Sequence, residues 1–525
     1  MSIYANARRD ERIREYLPVK RILWQSGCSG AEIMPGNLDL QPRVAGPMSK
    51  IRIAKGGGIL LDFGIELHGG VRLLCCRKGR ARLRFGESAS EAMGTPDQDH
   101  AIHNTVLDLP AMGMLEYGNT AFRFVRIDAV GGALELQNVI AVALYRDLEW
   151  IGSFESSDER LNRIWQTGAY TLLLNMQDYI YDGAKRDRLV WMGDLNPEVR
   201  SILVVFGSIP LIPTTLDFLR GHTPLPAVMN NMTSYNFWWI ITVYDYYLHS
   251  GDRAWLEQQK EYLAGLLRQC LSYVTPDGKE AVPGDRFLDW PSRRNPAALH
   301  AGLQGLLYWA FGCGIWLCRE LGIDSADFEA VHRRMAEYIP DCGSSKAAAA
   351  VQTLSGLADR RDVLLRDPFH GVSTFYGCYM LFAQPTAPAL ELIRRYWGGM
   401  LDYGATTFWE DFDLDWLRNT SPISELPVAG RDDLHADFGN YCYVGLRHSL
   451  CHGWAAGPTA FLSERLGGIR RLEPGCRRLA IRPDLAGLDY LKLSFPTPAG
   501  AVKIEAERGR KPVIDAPAGV TVVEE

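Results

Sequence analysis

Tyr181-Asp182-Gly183-Ala184-Lys185-Arg186-Asp187-Arg188-Leu189-Val190-Trp191-Met192-Gly193-Asp194 packs three carboxylates, three cations, one Trp and two glycines into one short segment. A helical pattern precedes it and another follows, so it reads as a connecting loop. Loops on a rigid scaffold carry function disproportionately. Charge content alone describes a solvated turn. The flanks are apolar and aromatic-rich, however, and Trp191 sits among the charges, which describes the wall of a pocket.

Working outward, the helical pattern runs from about residue 150 to 466. Ser156-Ser157-Asp158-Glu159 has the spacing of a capping box, and Leu161, Ile164, Trp165 and Leu172 then share one helical face. A helix through Trp238 to Leu248 ends at His249-Ser250-Gly251-Asp252. The next carries Leu256, Leu263, Leu266, Leu267 and Leu271 on one stripe. Asn295-Pro296 supplies a cap followed by Pro at the first helical position. Asp324 is expected to cap a helix carrying Phe328, Val331 and Met335. Further helices are expected near 344–358, 387–400 and 447–466, the last stopped by Gly467-Gly468. Roughly eleven helical segments joined mostly by short loops imply antiparallel helix pairs. The pairing leaves open whether they form a solenoid or a closed toroid.

Strand patterns flank the helices. Ala81-Arg82-Leu83-Arg84-Phe85 and Phe122-Arg123-Phe124-Val125-Arg126-Ile127 alternate with period two, one face toward a core. Glycines at Gly56-Gly57-Gly58 and Gly69-Gly70 punctuate the runs, so residues up to 150 read as an antiparallel β-sandwich. The first 45 residues show no strong periodicity. After Gly467, Arg477-Arg478-Leu479-Ala480-Ile481-Arg482-Pro483 and Leu491-Lys492-Leu493-Ser494-Phe495 alternate again. Three domains are expected: 1–150, 151–466 and 467–525. The length of 525 residues accommodates them.

A second charged stretch, Gly404-Ala405-Thr406-Thr407-Phe408-Trp409-Glu410-Asp411-Phe412-Asp413, stands more than two hundred residues from the first. Together the two resemble the catalytic signatures of glycoside hydrolase family 78, the bacterial α-L-rhamnosidases. That family typically shows Asp-x-x-x-Arg-Glu/Asp…Trp-x-Gly-Asp and a later Gly-Ala-Thr-Thr-x-Trp-Glu. Leu61-Asp62-Phe63-Gly64…Gly69-Gly70-Val71 and Phe85-Gly86-Glu87-Ser88 resemble the family's preceding β-domain, and the tail resembles its small C-terminal β-domain. The resemblance implies a multidomain chain: an (α/α)6 barrel flanked by an N-terminal β-sandwich and a C-terminal β-domain. The β-sandwich is expected to pack against the barrel rather than to bind sugar.

Glycoside hydrolysis usually needs two carboxyl groups, about 6.5–9.5 Å apart in inverting enzymes to admit a water. The resemblance implies Asp187 as general acid and Glu410 as the base that deprotonates water. It implies that Asp182, Arg186 and Asp194 hold sugar hydroxyls and tune the acid, with Trp191 and Trp409 beside them. Phe287-Leu288-Asp289-Trp290 resembles the family's pocket-lining Asp-Trp element. Ser449-Leu450-Cys451-His452-Gly453-Trp454-Ala455 resembles its Ser-Leu-Asn-His-Tyr-Ala element, whose His contacts the sugar. Among the aromatics Asn236-Phe237-Trp238-Trp239, Trp238 is a candidate to stack on a sugar. One departure stands out: family members mostly carry Glu where Asp187 stands. Asp is shorter by one methylene, roughly 1.5 Å of reach. Glu198 is a substitute acid of lower rank.

The implied function is release of terminal α-L-rhamnose, or a close relative, from a small glycoside or oligosaccharide. A six-hairpin glycosidase of other sugar specificity and a catalytically silent carbohydrate-binding homologue remain as alternatives. The formal net charge of −6 and the lack of a basic cluster argue against nucleic acid. No apolar run reaches the roughly 18 residues of a membrane span, and the start at Met1 shows no apolar leader region. The 11 cysteines are odd in number and lack Cys-x-x-Cys spacing. They read as reduced residues of a cytoplasmic protein rather than a zinc site. Asp411, Asp413 and Asp415 alternate, but Trp416 and Pro422 occupy the glycine and bidentate-acid places of a calcium loop. No metal and no cofactor is therefore expected. A homodimer is left open.

Overall fold

The computed structural model describes residues 6–45, 50–95 and 103–523. Residues 1–5, part of the start examined for a leader, lie outside the described residues. Seven strands form the N-terminal sheet: β1 (Arg12–Pro18), β2 (Arg21–Ser29), β3 (Ile51–Cys75), β4 (Gly79–Gly86), β5 (Asn104–Leu109), β6 (Gly113–Ala129) and β7 (Leu134–Arg146). Their order is β1-β7-β3-β6-β4-β5, with β2 paired to β3. All pairs are antiparallel except β3–β7, which run parallel. The hydrogen bonding thus forms one continuous sheet with one parallel pair, where a wholly antiparallel arrangement was expected.

The cause is β3, 25 residues long. It pairs with β2 and β6, and with β7 at Ile51–Ile53 and again at Gly69–Cys75, and its register against β6 shifts between Asp62 and Leu67 and again between Gly69 and Val71. Bulges bend a strand and increase its twist. Gly69, at φ +146, makes the approach to β7 possible, since a Cβ there would lie 2.0 Å from the Val142 carbonyl oxygen. β1 and β2 fall within the stretch that shows no periodicity. The residues of both strands are half-buried or exposed and none is fully buried, so no clean alternation marks them.

The first helix, α1 (Ala89–Met93), follows β4. The remaining ones are α2 (Glu159–Asn175), α3 (Met192–Val205), α4 (Leu211–Gly221), α5 (Thr233–Ser250), α6 (Arg253–Leu271), α7 (Pro296–Leu321), α8 (Ala326–Met335), α9 (Lys346–Leu354), α10 (Arg361–Leu365), α11 (Thr374–Phe382), α12 (Thr386–Asp402) and α13 (Gly457–Phe461). α3 packs on α5, α5 on α7, α7 on α9, α9 on α11, α11 on α13, and α13 back on α3. Six helices therefore close a ring, with α2, α6, α8 and α12 packed outside it.

Three local expectations change. The segment 447–466 is not one helix: a 3-10 turn over Gly453–Ala456 leads into α13 and then a π turn over Leu462–Leu466. Backbone bonds there go to distant segments, with Gly453 N–H donating to the Asp182 carbonyl and His452 N–H to that of Phe408. The cap of α2 is Asp158, whose carboxylate accepts from the Arg160 and Leu161 amides, while Ser156 lies in a strand. Ser325 precedes α8, and Asp324 accepts from the Ala326 amide.

Ser153–Ser156 is the strand β8. It joins β9 (Tyr490–Phe495), β10 (Val502–Glu507) and β11 (Val513–Asp515) in one C-terminal sheet. The chain segment entering the helical ring is thereby tied to the tail.

Asn295 caps α7, accepting from the Ala298 amide at 3.1 Å. Replacing an N-cap Asn by Ala costs about 1 kcal/mol. Asn295→Ala should lower stability by about that amount in urea unfolding, and Asn295→Asp should retain most of it.

Candidate active site

The charged loop leaves α2 and enters α3, and its ends are cross-linked. The Asp182 amide donates to the Leu189 carbonyl at 3.1 Å, and the Leu189 amide donates to Asp182 Oδ1 at 2.9 Å. Asn230 braces the same loop, accepting from the Met192 amide and donating to the Val190 carbonyl. Within this closure Asp187 (φ 55) and Arg188 (φ 56) are both left-handed. Asp tolerates that conformation better than most side chains. Such strain persists where the surroundings over-determine it, as at functional sites.

Arg186 is the junction. One arm of its guanidinium, Nη2, meets Glu410 Oε2, and the other, Nη1, reaches Asp187 Oδ1 at 3.2 Å. Glu410 is held from every side. Its amide donates to the Ser449 carbonyl at 2.9 Å, and its carboxylate accepts from the Ser449 amide at 3.2 Å. Its carbonyl accepts from Trp454 Nε1 at 2.9 Å and from Thr374 Oγ1. His452 Nε2 lies 3.2 Å from Asp194 Oδ1 and 3.9 Å from Glu410 Oε1.

Burial works against charge throughout, and the neighbours decide the outcome. At Glu410 burial pushes the carboxyl up, but His452 and Arg186 outweigh it and hold the pKa below 4.5. At Asp182 burial dominates, and Asp194 adds to it, so its carboxyl lies well above 3.8. Asp194 is also raised by burial, despite His452. Burial lowers His452, yet Glu410, Asp194 and Asp182 raise it above 6.5 overall. Asp411, beside the base, is raised to about 7 by burial first and by Glu410 and Asp413.

Asp182, Arg186, Asp187, Trp191, Asp194, Trp290, Glu410 and His452 line one cleft of about 60 Å³. Asp289 lines an adjoining cavity of about 250 Å³ that shares Trp290, Glu410, Tyr443 and Trp454 with it. The sequence reading thus brought most of its residues together, with three corrections. Trp238 is fully buried, stacked on Tyr379 at 4.7 Å, and lines neither cavity. It belongs to a helix whose aromatic face is core. Trp409 also lines neither, packing on Phe412 at 5.5 Å. It precedes Glu410 directly in chain that is not helical, and successive side chains of extended chain point to opposite sides. Glu198, the substitute acid, lies behind the cleft. It is one helical turn past Asp194, buried, and would fill the Cβ position of Gly453.

Met232, Tyr235, Phe287, Cys442, Tyr443 and Trp454 complete the lining of the cleft. Phe287 and Trp454 sit inside segments already singled out. Tyr441, stacked on Trp290 at 5.9 Å, and Tyr443 come from a stretch without a readable pattern. Among the described residues no group of three or more His, Cys, Asp or Glu is placed to hold a metal ion.

The chain is similar to known proteins in sequence and in fold. Residues 149–301 match the family model described as the bacterial alpha-L-rhamnosidase six-hairpin glycosidase domain. An α-L-rhamnosidase of Alteromonas sp. (strain LOR) is 27% identical, over 87% of this chain and 54% of that protein. This chain thus spans about half the length of that relative. The family 78 rhamnosidase of Bacillus sp. GL1 superposes with a TM-score of 0.72 at 21% identity, over 92% of this chain and 54% of that one. A Klebsiella oxytoca rhamnosidase solved with rhamnose bound gives 0.69 at 20% identity, over 87% of this chain and 96% of that one. These structures share the fold.

His452 titration reads the site directly. A raised imidazole stabilises the folded state fully below its ordinary 6.5, and that contribution fades as pH rises through the raised value. Imidazole NMR should place His452 above 6.5, and Glu410→Gln should lower it. An unchanged value in the variant would remove the His452–Glu410 coupling.

Proposed function

We propose that this relative of the family 78 α-L-rhamnosidases is an inverting glycoside hydrolase that releases terminal α-L-rhamnose, or a close relative, from a small glycoside. The observation that carries the reading is Arg186 with one carboxyl on each arm. Asp187 and Glu410 are brought to one cleft yet kept out of direct contact. An inverting enzyme needs such a pair, separated by about 6.5–9.5 Å so that water fits between base and sugar. The closed ring of six helices supports an (α/α)6 barrel, with sheet domains at about 1–150 and 467–525 flanking it.

The chemistry divides between the carboxyls. Asp187 donates its proton to the glycosidic oxygen as the bond from that oxygen to the anomeric carbon breaks. Glu410, kept ionised by His452 and Arg186, takes a proton from water, whose oxygen bonds to the anomeric carbon from the opposite face. Asp182 and Asp194 line the cleft and are assigned to hold the sugar's hydroxyls. Trp191 and Trp290 supply the apolar walls of the cleft. The left-handed turn at Asp187 presents the shorter Asp where relatives mostly use Glu.

Activity on 4-nitrophenyl α-L-rhamnopyranoside, beside a panel of other aryl glycosides, tests the reading. Turnover of the rhamnoside should be abolished by Glu410→Gln with the thermal melt nearly unchanged. Asp187→Asn should cost about 10²–10⁴ in kcat, and less for substrates with good leaving groups. Activity confined to another sugar moves the specificity within the six-hairpin class. Binding without turnover on every sugar supports a silent carbohydrate-binding protein instead.

A further inference from the structure

The turn after β4 reaches across to both catalytic segments. Lys185, one residue before Arg186, is 2% exposed at its side chain, and its Nζ lies 3.0 Å from Glu87 Oε2 and 2.8 Å from Glu91 Oε1. Both glutamates belong to the N-terminal sheet domain and are themselves buried. Glu87 Oε2 also accepts from the Leu450 amide at 2.8 Å, next to the Ser449 that holds the base. Beside them, Ser88 Oγ bonds His435 Nδ1 at 2.6 Å, and His435 Nε2 donates to the His448 carbonyl at 2.8 Å. The His448 ring in turn accepts from the Asp411 amide at 2.9 Å, directly after Glu410.

A packing interface does not need this arrangement. Burying an ammonium and two carboxylates costs several kcal/mol per ion, and apolar replacements of similar volume are often neutral or stabilising. What such a network supplies is one arrangement rather than several. Here it has one end on the acid loop and two on the base segment. We propose that Lys185, Glu87 and Glu91 are positioning residues: the sheet domain grips the acid loop and the base segment together and sets the spacing of Asp187 and Glu410. The cluster touches neither cavity lining directly, so it acts through Arg186 and Ser449. The expectation that the sheet domain merely packs against the barrel is thereby revised.

The proposal rests on the hydrolase reading for its kinetics but not for its loop order, so both are measured. The variants are Lys185→Met and the uncharged triple Lys185→Met/Glu87→Gln/Glu91→Gln, which leaves no unpaired charge should the single variant not fold. Hydrogen exchange should accelerate at least tenfold in 181–189 and 447–452, with α5 and α7 unchanged. On aryl glycosides kcat should fall on the order of 10²-fold, the scale of a 1 Å misplacement, while KM changes less than threefold. The loss should be steeper for poor leaving groups, which depend most on proton donation. Unchanged exchange in both segments overturns the proposal, as does exchange that rises uniformly along the chain or a kcat loss independent of leaving group. A wild type inert on every glycoside refutes the hydrolase reading, and the exchange result then decides the clamp alone.

Discussion

The site depends on one buried ion pair, Arg186 with Glu410, between residues 224 positions apart in sequence. Each partner is 4% exposed at its side chain. Taking either charge from water alone costs several kcal/mol, and the pair returns that only where geometry is good and the remaining polar atoms are satisfied. The Ser449 amide helps meet them at Glu410 and Asp187 does so at the far arm of Arg186, while the buried Arg186 Nε is left without a hydrogen-bond partner. Burial alone would push the Glu410 carboxyl up, and His452 and Arg186 together hold it down. The same contact that joins two loops therefore also helps keep Glu410 ionised.

The rest of the architecture serves to make that meeting reproducible. The six-helix ring fixes the origins of the loops, since α3 follows the acid loop and α13 follows the base-side segment, and these two helices pack on each other. The backbone then cross-links the loops themselves. The Gly453 amide donates to the Asp182 carbonyl, and that of Ala184 to the Cys451 carbonyl. Gly453 is constrained on its other side too, since a Cβ there would collide with Glu198 Oε1 at 1.8 Å. Glycine at this position lets a buried carboxyl stand behind the loop crossing.

The sequence was most legible where chemistry is local. The Asn295-Pro296 cap and the Gly251 stop of α5 needed only neighbouring residues, and both occur as read. The two charged segments were readable because clustered charge between apolar flanks is conspicuous. Tyr441 and Tyr443 were not, because their part in the cleft comes from where a long loop returns, not from its composition. The cluster at Lys185 was hidden for a similar reason. Glu87 lies in a strand-end turn almost one hundred residues earlier, and no spacing rule links it to the loop. Trp238 and Trp409 were overread, since a Trp beside a functional residue is more often its support than its surface.

Four buried carboxyls crowd the depth of the site, and their states follow their access to the two cations. Glu410 touches both Arg186 and His452 and is held low. Asp194 bonds His452 alone and is raised. Asp182 feels His452 without a bond and is raised further above its ordinary value, and Glu198, for which no cation offsets burial, is raised well above as well. Environments that push neighbouring acids apart are how one site keeps distinct proton donors and acceptors at one pH. Asp187 lies at the rim, with 29% of its side chain exposed. In an inverting cycle the acid ends each turnover without its proton and the base ends with an extra one. Under the proposed assignment, solvent at the rim would restore Asp187, while at depth Arg186 and His452 would favour the loss of a proton gained by Glu410.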